Sequence, residues 1–103
     1  MKRFRVALLA NLKVNAPKFE GMAEDQWDDL DSEKTITALI EAIRAGGHIC
    51  EFFEGDSTLF ETLPKFRPDI CFNICEGHFG DAREAQVPAI LEMLRIRYTG
   101  SKV

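Results

Sequence analysis

Apolar and polar residues fall along this chain in blocks of two kinds, one of strand length and one with helical spacing. Residues Phe4 to Ala10 form a short, nearly continuous apolar run broken only by Arg5. A strand covered on both faces, as in a parallel sheet, has this pattern. From Asn11 to Asp31 the chain turns polar, carrying Pro17, Gly21 and the acids Glu20, Glu24, Asp25, Asp28, Asp29 and Asp31. A connection this long inside a compact domain is usually a functional element rather than a plain linker.

The next block is the clearest helix. Ile36, Leu39, Ile40 and Ile43 make one stripe of a helical period, the face that turns to a core. Asp31 or Ser32 is placed to cap its first turn, Glu33 suits the positive end of the helix dipole and Arg44 the negative end. Gly46 and Gly47 supply the left-handed stop. A second strand is expected over Ile49 to Phe53, followed by a short helix opened by Asp56 or Ser57, bearing Leu59, Phe60 and Leu63, and closed near Pro64. Pro68 marks the entry to a third strand, Asp69 to Ile74. The last helix carries Val87, Ile90, Leu91 and Leu94, with Pro88 expected in its first turn, where a missing N–H costs nothing. Ile96 to Tyr98 reads as a short edge strand. This β-α-β-α-β-α-β order, with right-handed crossovers, predicts an α/β domain: a parallel four-stranded sheet with helices on both faces.

Composition narrows the function classes. A chain of 103 residues makes one domain and buries roughly two thirds of its unfolded surface. The net charge of −4 argues against nucleic acid, whose binding needs a basic face. No apolar run reaches the ~20 residues that span a bilayer, so no membrane partner is expected. Cys50, Cys71 and Cys75 are odd in number and sit on or beside apolar strands, the pattern of reduced core thiols in a cytoplasmic protein. Cys71 and Cys75 lack the spacing and partners of a zinc clip, and simple packing accounts for Cys75 better than metal or nucleophile chemistry with His78. Trp27 and the phenylalanines read as core or loop anchors.

The candidate chemistry lies after the third strand. Glu76-Gly77-His78-Phe79-Gly80 places a carboxylate and an imidazole on a glycine-bearing loop, and Gly77 and Gly80 permit close approach of a ligand. The plain alternative is a tight strand-to-helix turn. Arg83 and Glu84, at the start of the last helix, could bind a carboxylate and an amine, or stand exposed in solvent. The order of strand, E-G-x-x-G loop, R-E-x-Q-x-P-A-I-L-E helix and I-x-Y-T-G-S closely resembles the end of the N-terminal domain of D-alanine–D-alanine ligase-like proteins, of the ATP-grasp superfamily. That resemblance implies a Rossmann-like (pre-ATP-grasp) domain with strand order 2-1-3-4, here 1–103, cut from a ligase that continues for roughly another 200 residues.

The implied reaction is ATP-dependent joining of a carboxylate to an amine through an acyl phosphate, giving a peptide-type bond. ATP and Mg²⁺ would be held by the central and C-terminal domains, outside this chain. This domain would supply part of the pocket for a small amino-acid or carboxylate substrate, through Glu76, Gly77, His78, Arg83, Glu84 and Asp28, with no catalytic residue and no metal of its own. The resemblance leaves room for a homodimer. The ligases end this strand in an L-H-G loop. Matching back from Tyr98-Thr99-Gly100-Ser101 aligns its histidine with His78, whereas matching the strand end aligns it with Glu76. They also follow the first strand with G-G-x-S-x-E-x-x-x-S, where this chain has Ala10-Asn11-Leu12-Lys13-Val14-Asn15. Asp28, Asp31 or Glu33 could replace that loop's glutamate, or serve only as a solvated loop and helix cap.

The alternative is a non-catalytic, flavodoxin-like receiver module. It would need acids after the first strand and an aspartate ending the third to bind Mg²⁺ and accept phosphate. Asn11 and Asn73-Ile74 stand there instead. A dinucleotide-binding domain lacks its G-x-G-x-x-G.

Overall fold

The computed structural model describes residues 2–16, 20–22, 31–75 and 83–100, without the side chains of Arg83 and Glu84. Strands β1 (Arg5–Ala10), β2 (Ile49–Glu54), β3 (Ile70–Asn73) and β4 (Tyr98–Thr99) alternate with helices α1 (Glu33–Ala45), α2 (Leu59–Phe66) and α3 (Arg83–Met93). The strands lie in the order β2-β1-β3-β4, and every pair is parallel. This is the expected three-layer α/β domain, with the apolar run at the centre of the sheet.

The continuity of that run follows from cover on both faces. Ala7 and Leu9 pack with Leu59, Leu63 and Phe66 of α2, Cys71 of β3, and Val87 and Leu91 of α3. Val6, Leu8 and Ala10 face the other way, with Ile36 of α1 and Cys50 of β2. Residues Ala7 to Ala10 are all 0% exposed, so no position on this stretch is left for a polar residue. Burying each leucine stabilises the fold by about 1.5–3 kcal/mol.

Ser32, not Asp31, caps α1: its Oγ accepts from the Thr35 N–H at 3.2 Å. The left-handed residue that ends the helix is Gly47, at φ 93°. Arg44 leaves the helix end and donates through Nη2 to the Cys50 carbonyl at 2.8 Å, on the outermost strand. Asp56 opens α2 by accepting from the Thr58 N–H at 2.9 Å.

Pro64 lies near the end of α2, as expected, whereas Pro88 departs from the expected first turn. α2 runs through Pro64 to Phe66, and Pro88 lies inside α3, five residues beyond its first, Arg83. Each ring therefore costs its helix one carbonyl partner. Burial offsets the loss at Pro88, whose side chain is fully buried beside Val87 and Leu91. Strand limits shift slightly: β3 stops at Asn73, and the edge strand is Tyr98–Thr99, paired with Cys71 and Phe72. The Ile96 N–H is used by the end of α3, donating to the Leu91 carbonyl at 3.0 Å.

Candidate functional site at the carboxyl edge of the sheet

The chain leaving β1 turns toward β2, whereas the chain leaving β3 turns toward β4. Where neighbouring crossovers diverge, a parallel sheet opens a crevice at the carboxyl ends of its strands, and ligands bind there. In this fold that place is the gap beyond Ala10 and Asn73.

Side chains from the strand ends lock this edge together. Asn11 is 1% exposed, so its amide must find partners. Its Nδ2 donates to the Gly55 carbonyl at 2.9 Å and to the Glu54 carboxylate at 3.4 Å. Glu54 also accepts from the Leu12 N–H at 3.2 Å and from Asn15 Nδ2 at 2.8 Å. One carboxylate on β2 thus holds the first turn of the chain leaving β1. On β3, Asn73 Oδ1 accepts from the Cys75 N–H at 3.0 Å. Gly100 closes against the same residue: at φ 108°, a Cβ there would lie 2.8 Å from the Asn73 carbonyl oxygen. That close approach explains the glycine of the T-G-S segment.

The long connection after β1 is pinched at its neck. Leu12 and Asp31 form a parallel bridge. The Lys13 N–H donates to the Asp31 carbonyl at 2.9 Å, and the Asp31 N–H to the Asn11 carbonyl at 3.3 Å. These contacts fix the two ends of the connection beside the strand it leaves.

The field at Cys75 is negative. Burial raises the Cys75 thiol far above its ordinary range, and the nearby carboxylates of Glu54, Asp31 and Asp56 raise it further. Loss of hydration also raises Asp31 above the usual carboxylate value. Burial alone pushes Cys71 up to about 12. Both shifts favour the protonated thiol over the nucleophilic thiolate. All three cysteines are free.

The sequence-predicted site residues divide by position. Asp28, Glu76, Gly77 and His78, together with Trp27, lie outside the described residues. Arg83 and Glu84 begin α3, at the carboxyl edge. Asp31, offered as a substitute glutamate, stands at the loop neck, and Glu33 is exposed in the first turn of α1. Sequence reasoning passed over Glu54 and Gly55, and read Asn11 only as the absence of an acid. One signal was there to read: Glu54-Gly55, like Glu76-Gly77, sets an acid and a glycine just past an apolar strand.

Among the described residues, no three His, Cys, Asp or Glu side chains are grouped to hold a metal ion. Nor does Ala10-Asn11-Leu12-Lys13 offer the glycine loop that would bring N–H groups onto a phosphate. The receiver alternative is not favoured either, since the two strand ends carry Asn11 and Asn73, both tied into the fold. No helix among the described residues is long and apolar enough to cross a membrane.

No family model matches the chain, but individual proteins do. It is 35% identical over 73 residues to the D-alanine–D-alanine ligase of Pseudothermotoga lettingae, covering 70% of this chain and 24% of that protein. The ligase of Pelagibacter ubique is 32% identical over 83 residues, 81% of this chain and 26% of its own length. This is a D-alanine–D-alanine ligase-like chain. An uncharacterised protein of Sinorhizobium fredii is 38% identical over 72 residues, 62% of this chain and 21% of its own length. The ligase-like chain spans a fifth to a third of the curated relatives it matches.

Proposed function

We propose that this chain is the N-terminal, first-substrate part of an ATP-dependent carboxylate–amine ligase. The single observation that carries the reading is its similarity to D-alanine–D-alanine ligases, which reaches 81% of the chain at 32% identity. The parent enzyme joins a small amino acid to a second one through a peptide-type bond. ATP, with Mg²⁺, converts the first carboxylate into an acyl phosphate; an amine attacks it, and phosphate leaves. The groups that hold ATP and Mg²⁺ belong to the rest of the parent chain. The work takes place in the cytoplasm, where both substrates and ATP are at hand.

The part this chain plays is recognition. The negative field of Asp31, Glu54 and Asp56 around Cys75 suits the ammonium group of an amino acid. Glu76 and Glu84, with Asp28 on the other loop, would add carboxylates to that set and His78 an acceptor nitrogen, while Arg83 would be the natural partner of a carboxylate. The pinched neck at Leu12 and Asp31 supports a role for the 11–31 loop as a wall of the same pocket.

The reading is tested by Glu76→Ala in the protein that carries this chain. Amino-acid-stimulated ATP hydrolysis should fall about ten- to a hundredfold, the value of a hydrogen bond to a charged substrate group, while ATP affinity stays unchanged. An unaltered rate and Michaelis constant in the folded variant would reduce the loop to a turn.

A further inference from the structure

Gly55 stands where three strand ends meet. Its N–H donates to the Ala10 carbonyl at 2.9 Å, and its own carbonyl accepts from Asn11 Nδ2 at 2.9 Å. Its α-carbon faces the chain leaving β3. A Cβ placed there would lie 2.2 Å from Cys75 Sγ, 3.1 Å from Cys75 Cβ and 3.2 Å from Val87 Cγ2. Gly55 is buried and does not adopt a positive φ. Space, not backbone conformation, is what requires glycine here.

The neighbours have little room to yield. The Cys75 N–H is fixed by Asn73 Oδ1 at 3.0 Å, its side chain packs on the cluster of Leu59, Leu63 and Leu91, and Val87 is 1% exposed. A methyl group at position 55 would therefore displace Cys75, and with it the point from which the chain leaves β3. Dense interiors transmit such a displacement rather than absorb it.

We propose that Gly55 is a positioning residue for the substrate crevice: its bare α-carbon seats Cys75 and sets the spacing between the chains leaving β1 and β3. The inference rests on the ligase reading only in taking the first substrate to bind in that crevice. Gly55 touches no substrate in this scheme. It acts through Cys75, while its carbonyl holds Asn11 on the other wall.

The test compares wild type, Gly55→Ala, Cys75→Ala and the double variant, all in the protein that carries this chain. The readouts are the KM of the first amino-acid substrate, the KM of ATP, and the rate at which dithionitrobenzoate labels Cys75. Cys75→Ala identifies the labelled thiol. Gly55→Ala should raise the first-substrate KM about tenfold, as a small misplacement of binding groups does, and leave the KM of ATP alone. Displacement of Sγ should also speed labelling of Cys75 severalfold over the half-buried wild-type thiol. Removing the sulfur in the double variant should recover most of the lost KM, the signature of a coupled pair.

Gly55→Ala with wild-type KM and labelling would overturn the proposal, as would a double variant no better than the single one. A role in stability alone would lower the melting temperature without separating the two KM values. If Gly55→Ala fails to fold, the double variant decides: a near-wild-type KM supports the seat, and a raised KM or failure to fold overturns it. An enzyme without amino-acid-dependent ATP hydrolysis would sink the ligase reading, while the labelling rates would still judge the contact between Gly55 and Cys75.

Discussion

The two edges of the sheet spend their polar residues differently. At the amino edge, side chains close the fold on itself. Arg5 Nη2 and Nε donate to the Phe66 carbonyl at 2.6 and 3.1 Å, where the last turn of α2 has no helical donor left. Its guanidinium also lies 4.5 Å over the Phe66 ring. Asp69 Oδ2 accepts from the Arg5 N–H at 2.7 Å, and His48 Nδ1 from the Phe4 N–H at 3.1 Å. At the carboxyl edge, Asn11, Asn15 and Glu54 fasten strand ends to one another, and acids gather around Cys75. One edge is capped; the other is braced and charged. A brace that holds loop roots still, within a field of one sign, is what a ligand site needs.

If that contrast is right, the largest effect on stability alone comes from the amino edge. Arg5→Ala removes a forked hydrogen bond to a helix end and a ring contact, and should cost about 2 kcal/mol in urea denaturation. Arg5→Lys should recover only part of it, because an ammonium cannot reproduce the planar fork. The first-substrate KM should not move in either variant. A clear rise in KM would break the division between the two edges.

A smaller loss of stability with a larger functional consequence is expected at Glu54. Glu54→Gln keeps the size but turns an N–H₂ group toward the donors Leu12 N–H and Asn15 Nδ2. One of these contacts must be lost, at about 1 kcal/mol. The root of the 11–31 loop loosens with it, so the first-substrate KM should rise severalfold while the KM of ATP holds. Steady-state kinetics with each substrate varied in turn separates the two. Equal changes in both constants would make Glu54 a purely structural acceptor, like those at the amino edge.

These two residues also show what was legible in the sequence. Element order, the buried run of β1 and the parallel sheet follow from hydrophobic period alone, because burial on both faces leaves β1 no polar position. The α1 stripe and its serine cap are local signals too. The roles of Arg5 and Glu54 are not local: Arg5 caps a helix 61 positions away, and Glu54 receives donors from 39 and 42 positions earlier. Pro88 misled for a related reason, since the tertiary burial that offsets its lost hydrogen bond leaves no mark in the helix period. Nor did the sequence signal that Arg67 and Arg95 would take left-handed conformations to end α2 and α3. The candidate site was read from the motif after β3, whereas its brace on β2 emerged only once the strand ends were side by side.

The finest test of the comparison is Asp31, at the neck of the loop. Loss of hydration raises its pKa above the ordinary 3.8, so the folded protein disfavours the charged form. The sign follows from linkage. Between the two pKa values the folded state binds more protons than the unfolded one, and stability falls as pH rises. The cost is complete above the folded pKa and vanishes below 3.8. Asp31→Asn should therefore be slightly more stable than wild type at pH 7, with the advantage shrinking toward zero as both approach pH 3.5. Urea midpoints of the two proteins at both pH values measure this, the other carboxylates cancelling in the difference. Kinetics should move the other way, because the neutral amide weakens the negative field around Cys75, and the first-substrate KM should rise. A side chain whose loss stabilises the fold but weakens binding is kept for the ligand. If Asp31→Asn instead lowers stability at pH 7 and leaves KM alone, its carboxylate serves the loop neck, and the carboxyl edge is a brace like the other.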